Sequence, residues 1–529
     1  MTSYDAVVIG SGPNGLVAAN HLAGAGWSVL VLEAQPDLGG AVRSANDVHP
    51  DFVHDTFSAF YPLAAASPTL RSFHLEDHGL RWTHAPAVLG HPLPDGQWAL
   101  LDRDRELTAS WFEVQQRGDG EAWLELCRQW DAIGEHLVRG LLTPFPPVRA
   151  GLGGLLSLRR AGGLHFVQTL LTPVIDLARN RFKGEAPRAL LAGNAGHTDI
   201  PLDAPGSGLM ALMLSMLGQT VGFPVPEGGA GMLTQALARR LLSLGGEVRC
   251  SSPVEHIGIS GGRARTVHTT TGQVVTARRA VVATVAAPSL YDDLLSPADV
   301  PDRVRRGMRA FQLDPSTVKV DWALSGSVPW QSPPARTPGT LHIADGVADM
   351  TVALGQVAAG LVPARPFMLA GQMTTTDPTR SPTGTESMWA YTHVPQQTRG
   401  DAGDEGLSGA WDHNDLERFA DRMQARFEKL APGFGSRIIE RRILGPAELE
   451  SRDANLIGGA INGGTSQLHQ ELVFRPVPGL GRAETGIQGL YLGSASAHPG
   501  GGVHGAAGMN AARAALAHTR WRRVTGRRT

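Results

Sequence analysis

Apolar residues at the start of the chain form two short runs separated by a helical pattern. The runs Tyr4–Ile9 and Trp27–Leu32 are rich in valine, leucine and isoleucine, which is typical of strands buried on both faces of a parallel sheet. Between them, small and aliphatic residues recur on one face at helical spacing, which predicts a helix over Asn14–Ala25. This strand–helix–strand unit indicates an α/β fold.

Three glycines join the first strand to the helix at G-x-G-x-x-G spacing. In such a loop Gly10 permits the tight turn and Gly12 lets the backbone approach a diphosphate, while Gly15 lets the helix pack closely on the strand. The spacing alone is weak evidence, but its place between a strand and a helix favours a dinucleotide site.

The residues that follow supply the polar contacts of such a site. Pro13 and Asn14 open the helix, whose N-terminus offers free N–H groups and a partial positive charge to phosphate. Glu33 ends the second strand and is followed by Ala34. Its carboxylate can accept hydrogen bonds from ribose hydroxyls, and its charge disfavours a 2′-phosphate, so NADP is not expected here.

A second glycine pair favours FAD over NAD. Gly39 and Gly40 lie just beyond Glu33 and are followed by Arg43. This arrangement lets the chain run under the diphosphate and past a flavin ring, which NAD dehydrogenases do not require.

Further segments repeat the two periodicities. Helical spacing of apolar residues predicts helices in the following segments: 122–142, 209–223, 234–244 and 502–512. Apolar and alternating runs predict strands in four others: 280–284, 317–324, 367–373 and 491–493.

Composition and charge narrow the class of protein. The chain has 529 residues, 42% of them hydrophobic, and a formal net charge of −2, which argues against nucleic acid as a partner. Its two cysteines, Cys127 and Cys250, form no C-x-x-C pair, so no redox dithiol is expected. Such sparse cysteines fit a reducing, cytosolic setting, and we expect a cytoplasmic protein. We see neither a signal peptide nor a run of roughly 18 apolar residues. His74 and His78 lack a third ligand, so no metal site is predicted.

Four blocks of the chain, 7–44, 226–254, 280–284 and 489–508, carry a resemblance to a known family. They resemble the phytoene desaturase-like flavoproteins, within the larger amine oxidase and glutathione reductase-like FAD fold. Two further stretches, 203–208 and 462–464, resemble the branch of the pyridine nucleotide-disulfide oxidoreductase domain proteins. The last of the four blocks, with the sequence GLYLGSASAHPGGGVHGAAG, is the most specific.

The resemblance implies the fold class and the domains. It indicates an α/β protein with a Rossmann-like, glutathione reductase-like FAD-binding domain and an inserted α+β substrate domain. Because the blocks are separated along the chain, the FAD domain is expected to be discontinuous. We assign residues 1–75, 225–300 and 450–529 to it, and residues 76–224 and 301–449 to the substrate domain.

The resemblance also implies further cofactor contacts. The backbone of Val254 would lie beside the adenine. The strand that ends at Gly493 and the helix that begins near Gly502, Val503 and Ala506 would bring a helix N-terminus to the flavin. Such an end stabilises the negative charge of a reduced flavin.

The implied function is an FAD-dependent dehydrogenase or desaturase. It would oxidise an apolar small molecule, a polyene, isoprenoid or polycyclic natural product, by hydride transfer to flavin N5, and pass electrons to dioxygen or a quinone. His498 and His504 flank the glycine loop and are the first candidates for substrate contact or proton transfer, whereas His197 is a weaker candidate. The alternatives are an amine oxidase-like oxidase, a flavin-dependent isomerase or saturase, and a non-catalytic flavin-stabilised binding protein.

The apolar segment 152–182 contains interspersed arginines and admits two interpretations. One is peripheral contact with a membrane, as the resemblance implies, and the other is a lid helix over a substrate tunnel. The sequence gives no prediction of an oligomeric state.

Overall fold

A computed structural model of the protein describes residues 2–147, 153–154 and 157–525. Parts of the predicted segment 152–182 and of the predicted FAD domain (Met1 and residues 526–529) lie outside the described residues.

The described strands run in chain order as follows: β1 (Thr2–Ile9), β2 (Val29–Leu32), β3 (Ser44–Ala45), β4 (His54–Asp55), β5 (Trp82–Thr83), β6 (Ala87–Pro92), β7 (Trp98–Leu101), β8 (Val225–Pro226), β9 (Glu247–Arg249), β10 (Val254–Ser260), β11 (Arg263–Thr269), β12 (Val274–Ala283), β13 (Ser316–Leu324), β14 (Pro338–Ile343), β15 (Leu361–Val362), β16 (Met368–Gln372), β17 (Glu386–Val394), β18 (Gly400–Asp401), β19 (Ile438–Leu444) and β20 (Leu490–Leu492).

The described α-helices are α1 (Pro13–Gly24), α2 (Pro62–Ala66), α3 (Pro68–Arg71), α4 (Arg105–Gln115), α5 (Asp119–Leu141), α6 (Leu164–Leu171), α7 (Val174–Arg181), α8 (Glu185–Ala195), α9 (Ser207–Thr220), α10 (Gly231–Ser243), α11 (Asp302–Met308), α12 (Val347–Ala358), α13 (Met373–Thr376), α14 (His413–Leu430), α15 (Pro446–Arg452) and α16 (Ala506–Thr525). Short 3₁₀ turns include Leu468–Gln470 and Leu472–Phe474.

The first sheet has a parallel centre, in the order β9–β2–β1–β12–β20. On the edge of β12 away from β1, only its last residues pair with β20, and its first residues pair with β11. Strand β11 pairs in turn with β10, and both of these pairings are antiparallel. Residues of β1 alternate between two clusters of apolar side chains: Ala6 and Val8 face one, and Val7 and Ile9 face the other. Helices α1, α10 and α16 cover the first of these faces. The predicted Rossmann-like α/β fold is confirmed.

The second sheet has the order β19–β13–β17–β16–β14–β6–β7 and is antiparallel except for the pair β14–β6. Side chains on one face pack with Phe419, Met423 and Phe427 of α14 in an apolar core. Its strands come from the two predicted insertions, whereas those of the first sheet come from the three ranges predicted for the FAD domain. The domain boundaries themselves stay a prediction.

Most predicted elements form close to their expected bounds. Helices α5, α9 and α10, and strands β12, β13, β16 and β20, each overlap the predicted segment. Within the apolar segment 152–182, the described residues include the two helices α6 and α7. Pro173 separates the two because its ring cannot continue a helix from the residue before it.

Candidate active site

The parallel strands of the first sheet end at one edge, where their last residues are joined by backbone hydrogen bonds. Gly10 N–H donates to Leu32, Thr284 N–H to Ile9 and Gly493 N–H to Ala283, with donor–acceptor distances of 2.8–2.9 Å. This carboxyl edge is where ligands bind in open α/β sheets. The four loops that leave it therefore meet at one place.

A cavity of about 410 Å³ lies at this edge and extends to the second sheet. Seven of the residues predicted to bind the cofactor line it: Gly12, Pro13, Asn14, Gly15, Gly40, Gly502 and Val503. They come from the two ends of the chain, so the fold brings together the two glycine-rich blocks that the sequence singled out.

The glycines of the loop have the geometry that a bound diphosphate requires. Gly10 has a φ of +95°, which a side chain would strain, and a Cβ on Gly15 would lie 2.0 Å from the carbonyl oxygen of Gly10. A Cβ on Gly12 would instead project beside the cavity, with Cα of Gly40 as its nearest neighbour at 3.9 Å. Helix α1 begins here with no acidic residue in its first turn. The site thus fits an anionic dinucleotide, with free N–H groups of α1 facing it.

Glu33 is buried beside this loop and is already hydrogen-bonded. Its Oε2 accepts from the backbone N–H of Ser11 at 2.8 Å and from the Ser11 hydroxyl at 2.6 Å, and Oε1 accepts from Gln35 N–H. The carboxylate thereby fixes the turn after Gly10. Its contact with a ribose stays a prediction.

The remaining predicted cofactor residues lie outside the lining of the cavity. Gly39 and Gly493 each come one residue before a lining residue, Gly40 and Ser494, and Ala34 follows Glu33. The guanidinium of Arg43 donates to the carbonyl of Arg452 at 2.7 Å and lies over the ring of Phe57. Val254 begins β10 and packs on the apolar cluster behind the sheet.

The last helix begins later than predicted. The sequence places its start at Gly502, but α16 begins at Ala506 and continues to Thr525. Gly502 and Gly505 have φ values of +100° and +69°, a left-handed conformation that cannot continue a right-handed helix. Gly502 and Val503 therefore belong to the loop before the helix, and Ala506 opens the helix.

The structure does not bring His498 or His504 to the wall of the cavity. Nε2 of His498 lies 2.9 Å from the carbonyl oxygen of Thr143, and Nδ1 of His504 accepts from Ala506 N–H at 3.0 Å. Burial lowers the pKa of both imidazoles, that of His504 to about 4. The ring of His504 holds the backbone at the start of α16, whereas the ring of His498 joins the glycine loop to the backbone just after α5. Their role in substrate contact stays a prediction.

The second sheet supplies the other wall of the cavity from one face. Along each strand that contributes to this wall, alternate residues line the cavity, and the residues between them pack in the apolar core on the other face of the sheet. The lining residues on these strands are Thr317, Lys319, Thr340, Leu369, Trp389 and Tyr391. Apolar side chains of α9 complete this part of the cavity: Met210, Met213 and Leu214.

One row across this face runs through four strands. Lys319 pairs with Tyr391, Tyr391 with Leu369, and Leu369 with His342. At one end, Lys319 Nζ donates to the carbonyl of Asp55 at 3.0 Å and to the carboxylate of Asp321. At the other end, Nε2 of His342 is hydrogen-bonded to Nε2 of His197, which lines the cavity.

Lys319 and Asp453 are charged lining residues that the motifs did not indicate. Burial lowers the pKa of Lys319, although the nearby carboxylate of Asp321 partly opposes this shift. Burial raises the pKa of Asp453 to about 6. The sequence carries a signal for Lys319, since it is one of only three lysines among 47 basic residues and lies in the apolar run VKVDWAL. For Asp453, in SRDANL, we see no such signal.

Comparison with protein families agrees with this arrangement. Residues 8–86 match a family of NAD(P)-binding Rossmann-like domains. Residues 143–325 match the flavin-containing amine oxidoreductases. Within the described residues, we find no helix that combines the length and the apolar character needed to cross a bilayer.

Individual proteins match over nearly the whole chain. Pyridine nucleotide-disulfide oxidoreductase domain-containing protein 2 of Mus musculus is 29% identical over 96% of this chain and 92% of its own. The zeta-carotene-forming phytoene desaturase of Myxococcus xanthus is 25% identical over 94% and 90%. The crystal structure of an oxidoreductase from Methanosarcina mazei shares the fold, with a TM-score of 0.62, 16% identity and coverage of 97% and 99%. Together, these matches and the site show an FAD-dependent oxidoreductase that is similar to the phytoene desaturases and to the flavin-containing amine oxidoreductases.

Proposed function

We propose that the protein is a dehydrogenase or desaturase that oxidises an apolar small molecule, a polyene, isoprenoid or polycyclic natural product. The observation that carries this proposal is the wall of the cavity beyond the glycines. It is built from aromatic and aliphatic side chains on two elements that face each other: Leu369, Trp389 and Tyr391 on the sheet, and Met210, Met213 and Leu214 on α9. Such a wall favours an apolar ligand and excludes water from it.

The chemistry divides between the cofactor and the chain. Removal of a hydride from one substrate carbon, which bound FAD accepts at N5, and of a proton from the neighbouring carbon leaves a carbon–carbon double bond. The chain holds the FAD diphosphate at Gly12 and α1 and orients the substrate between the sheet and α9. Dioxygen or a quinone then takes the electrons.

Anaerobic mixing with candidate apolar molecules tests this proposal. A molecule that the enzyme oxidises should bleach the visible absorbance of the flavin. Its product should be two mass units lighter than the molecule added, because one hydride and one proton leave. Hydrogen peroxide released with amines would favour the amine oxidase alternative, and a product of unchanged mass the isomerase. No flavin reduction by any donor would favour a binding protein.

The prediction for His498 and His504 is tested in the same assay. Because neither ring lines the cavity, we expect His498→Gln and His504→Gln to weaken FAD retention more than the rate of flavin reduction in the protein that remains loaded. A loaded variant whose reduction falls by orders of magnitude would restore the role in proton transfer.

We also propose peripheral contact with an anionic membrane surface, through α6 and the turns at 468–474. Leu164 and Leu171 of α6 are exposed, as are Leu468 and Phe474. The two segments flank the start of α9, since a Cβ on Gly206 would touch Leu468 and one on Gly208 would touch the carbonyl of Thr172. The exposed Arg159 and Arg160 precede α6 and match acidic headgroups.

Co-sedimentation with vesicles checks the membrane contact. Binding to vesicles with phosphatidylglycerol should fall with salt and with the double change Leu164→Ser and Leu171→Ser. The exposed Val114, changed to Ser, is the matched control and should leave it intact. No binding at low salt would leave the lid interpretation of this segment.

A further inference from the structure

Two imidazole rings meet at the end of the row that starts at Lys319 on the second sheet. His197, which follows α8, lines the cavity, and its Nε2 lies 3.0 Å from Nε2 of His342 on β14. One of these nitrogens must donate a proton and the other must accept it, so the pair has two alternative arrangements.

The surroundings of His342 select one arrangement. Its Nδ1 is buried without a hydrogen-bond partner in the described part of the chain, and it packs against Gly193, where an added Cβ would lie only 2.0 Å away. A proton on Nδ1 would be an orphaned buried donor, which folded proteins avoid more strictly than an orphaned acceptor. His342 therefore carries its proton on Nε2 and donates it to Nε2 of His197.

His197 consequently carries its own proton on Nδ1. This N–H donates to none of the described residues, and the ring is half-buried in a stretch of the wall that is otherwise largely apolar. Burial lowers the pKa of His197 to about 3, so the ring is uncharged at physiological pH. A neutral donor in such a wall is satisfied by an oxygen acceptor on the molecule that fills the cavity.

We propose that the substrate is an elongated apolar molecule that carries a hydroxyl or carbonyl oxygen at the end that reaches His197. The apolar skeleton rests on the proposed function, and the oxygen is the new element. From Lys319 to His342 the row crosses three strand spacings, about 14 Å, which suits a chain of farnesyl length.

The same donor discriminates against two other classes of substrate. An amine at this end would be an ammonium ion, which has donors but no acceptor to offer Nδ1–H. A pure hydrocarbon would bury the N–H without a partner. Both should bind less well than an alcohol or an aldehyde of the same skeleton.

Calorimetric titration of the FAD-loaded protein with four matched ligands tests the proposal. The ligands are farnesol, farnesal, farnesylamine and the corresponding triene hydrocarbon without a polar group. We expect farnesol and farnesal to bind about tenfold more tightly than the other two, the effect of one buried hydrogen bond. Equal affinities, tighter binding of the amine or hydrocarbon, or no binding of farnesol and farnesal would overturn the proposal.

Two variants locate the preference. His197→Phe keeps a ring of similar size without the N–H, and should equalise the four affinities at the value for the hydrocarbon. His342→Gln keeps a donor toward Nε2 of His197 and should retain the preference. A preference that survives in His197→Phe would contradict the assignment, and the wild-type ligand series decides the matter if a variant does not fold.

This experiment separates the inference from the proposed function. If the alcohol and the aldehyde bind more tightly but no ligand bleaches the flavin, the dehydrogenase is refuted and the hydrogen bond from His197 to the substrate is retained. If the hydrocarbon bleaches the flavin and all four ligands bind equally, the dehydrogenase is supported and the hydrogen bond from His197 is refuted.

Discussion

The two walls of the cavity are built on different principles. At the edge of the first sheet, the site is made by backbone: glycines that allow close approach, and the N–H groups at the start of α1. On the face of the second sheet, the site is made by side chains that extend from four strands in register. A backbone-built site depends on the spacing of a few neighbouring residues. A site built from side chains depends on which distant strands pair.

This difference predicts different responses to substitution, and the largest concerns a charge on the second sheet. Asp321 is fully buried; its Oδ1 accepts from Lys319, and its Oδ2 accepts from Arg442 at 2.7 Å. Burial alone would raise the pKa of Asp321, but the two cations hold that pKa below its ordinary value. Asp321→Asn leaves the buried Lys319 without its carboxylate partner and Arg442 with only the partly exposed Asp47, and should lower the free energy of unfolding by about 4 kcal/mol.

Urea unfolding measures this loss, and pH gives its sign. A carboxyl group with a lowered pKa stabilises the fold above its unfolded pKa of about 3.9, and the contribution is lost as pH falls through the folded pKa. The difference between wild type and Asp321→Asn should therefore shrink in acid. Asp131→Asn, in the exposed pair with Arg105, is the control and should cost less than about 1 kcal/mol. Equal losses at the two sites would refute the argument.

The next prediction separates two glycines of one loop. A Cβ on Gly15 would lie 2.0 Å from the carbonyl oxygen of Gly10 and 2.9 Å from Oγ1 of Thr284, so Gly15→Ala must push α1 off the sheet and should cost about 3 kcal/mol. Gly12 has a φ of −61° and open space beside it, so Gly12→Ala should fold normally. Its methyl group would occupy the place of the diphosphate and weaken FAD binding roughly a hundredfold.

Thermal unfolding and FAD titration read the two effects separately. Gly24→Ala, at the end of the same helix with nothing within 4 Å, is the control and should change neither by much. If Gly12→Ala retains FAD with wild-type affinity, the diphosphate does not lie at this loop.

The contrast between the two walls also explains which parts of the site could be predicted from the sequence. The loop from Gly10 to Gly15, the glycine pair at Gly40 and the strand before Gly493 could be read locally, because period and spacing encode a backbone conformation. The row from Lys319 to His342 could not, since its members lie on strands whose order along the sheet is set by tertiary packing.

Two predictions near the last block show where local reasoning fails. The helix begins at Ala506 because the conformation of Gly502 and Gly505 breaks it, and glycine letters alone do not reveal the sign of φ. His498 and His504 lie beside the glycine loop in sequence, yet their rings turn to the backbone.

Asp453 is the exception that sharpens the comparison, because it is a side chain within the backbone-built wall. A Cβ on Gly40 would lie 3.4 Å from its Oδ2 and 3.0 Å from Cα of Gly12, so the carboxyl group adjoins the predicted diphosphate position. Only Oδ1 is engaged by a described residue, accepting from Asn455 N–H at 3.0 Å. Burial raises the pKa of Asp453 to about 6 in the protein alone, and an anion beside it would raise that pKa further.

Binding of FAD should therefore take up a proton, and its affinity should fall as pH rises above about 6. We expect a loss of about tenfold between pH 5.5 and 7.5, the equivalent of one pKa unit. Asp453→Asn is neutral at every pH and should bind FAD with an affinity that does not change over this range. Asp314→Asn removes another buried carboxyl group whose pKa burial raises to about 6, but which does not line the cavity, and should keep the wild-type pH dependence. A flat wild-type titration would show that the diphosphate lies away from Asp453, because a carboxylate beside a bound anion cannot avoid this coupling.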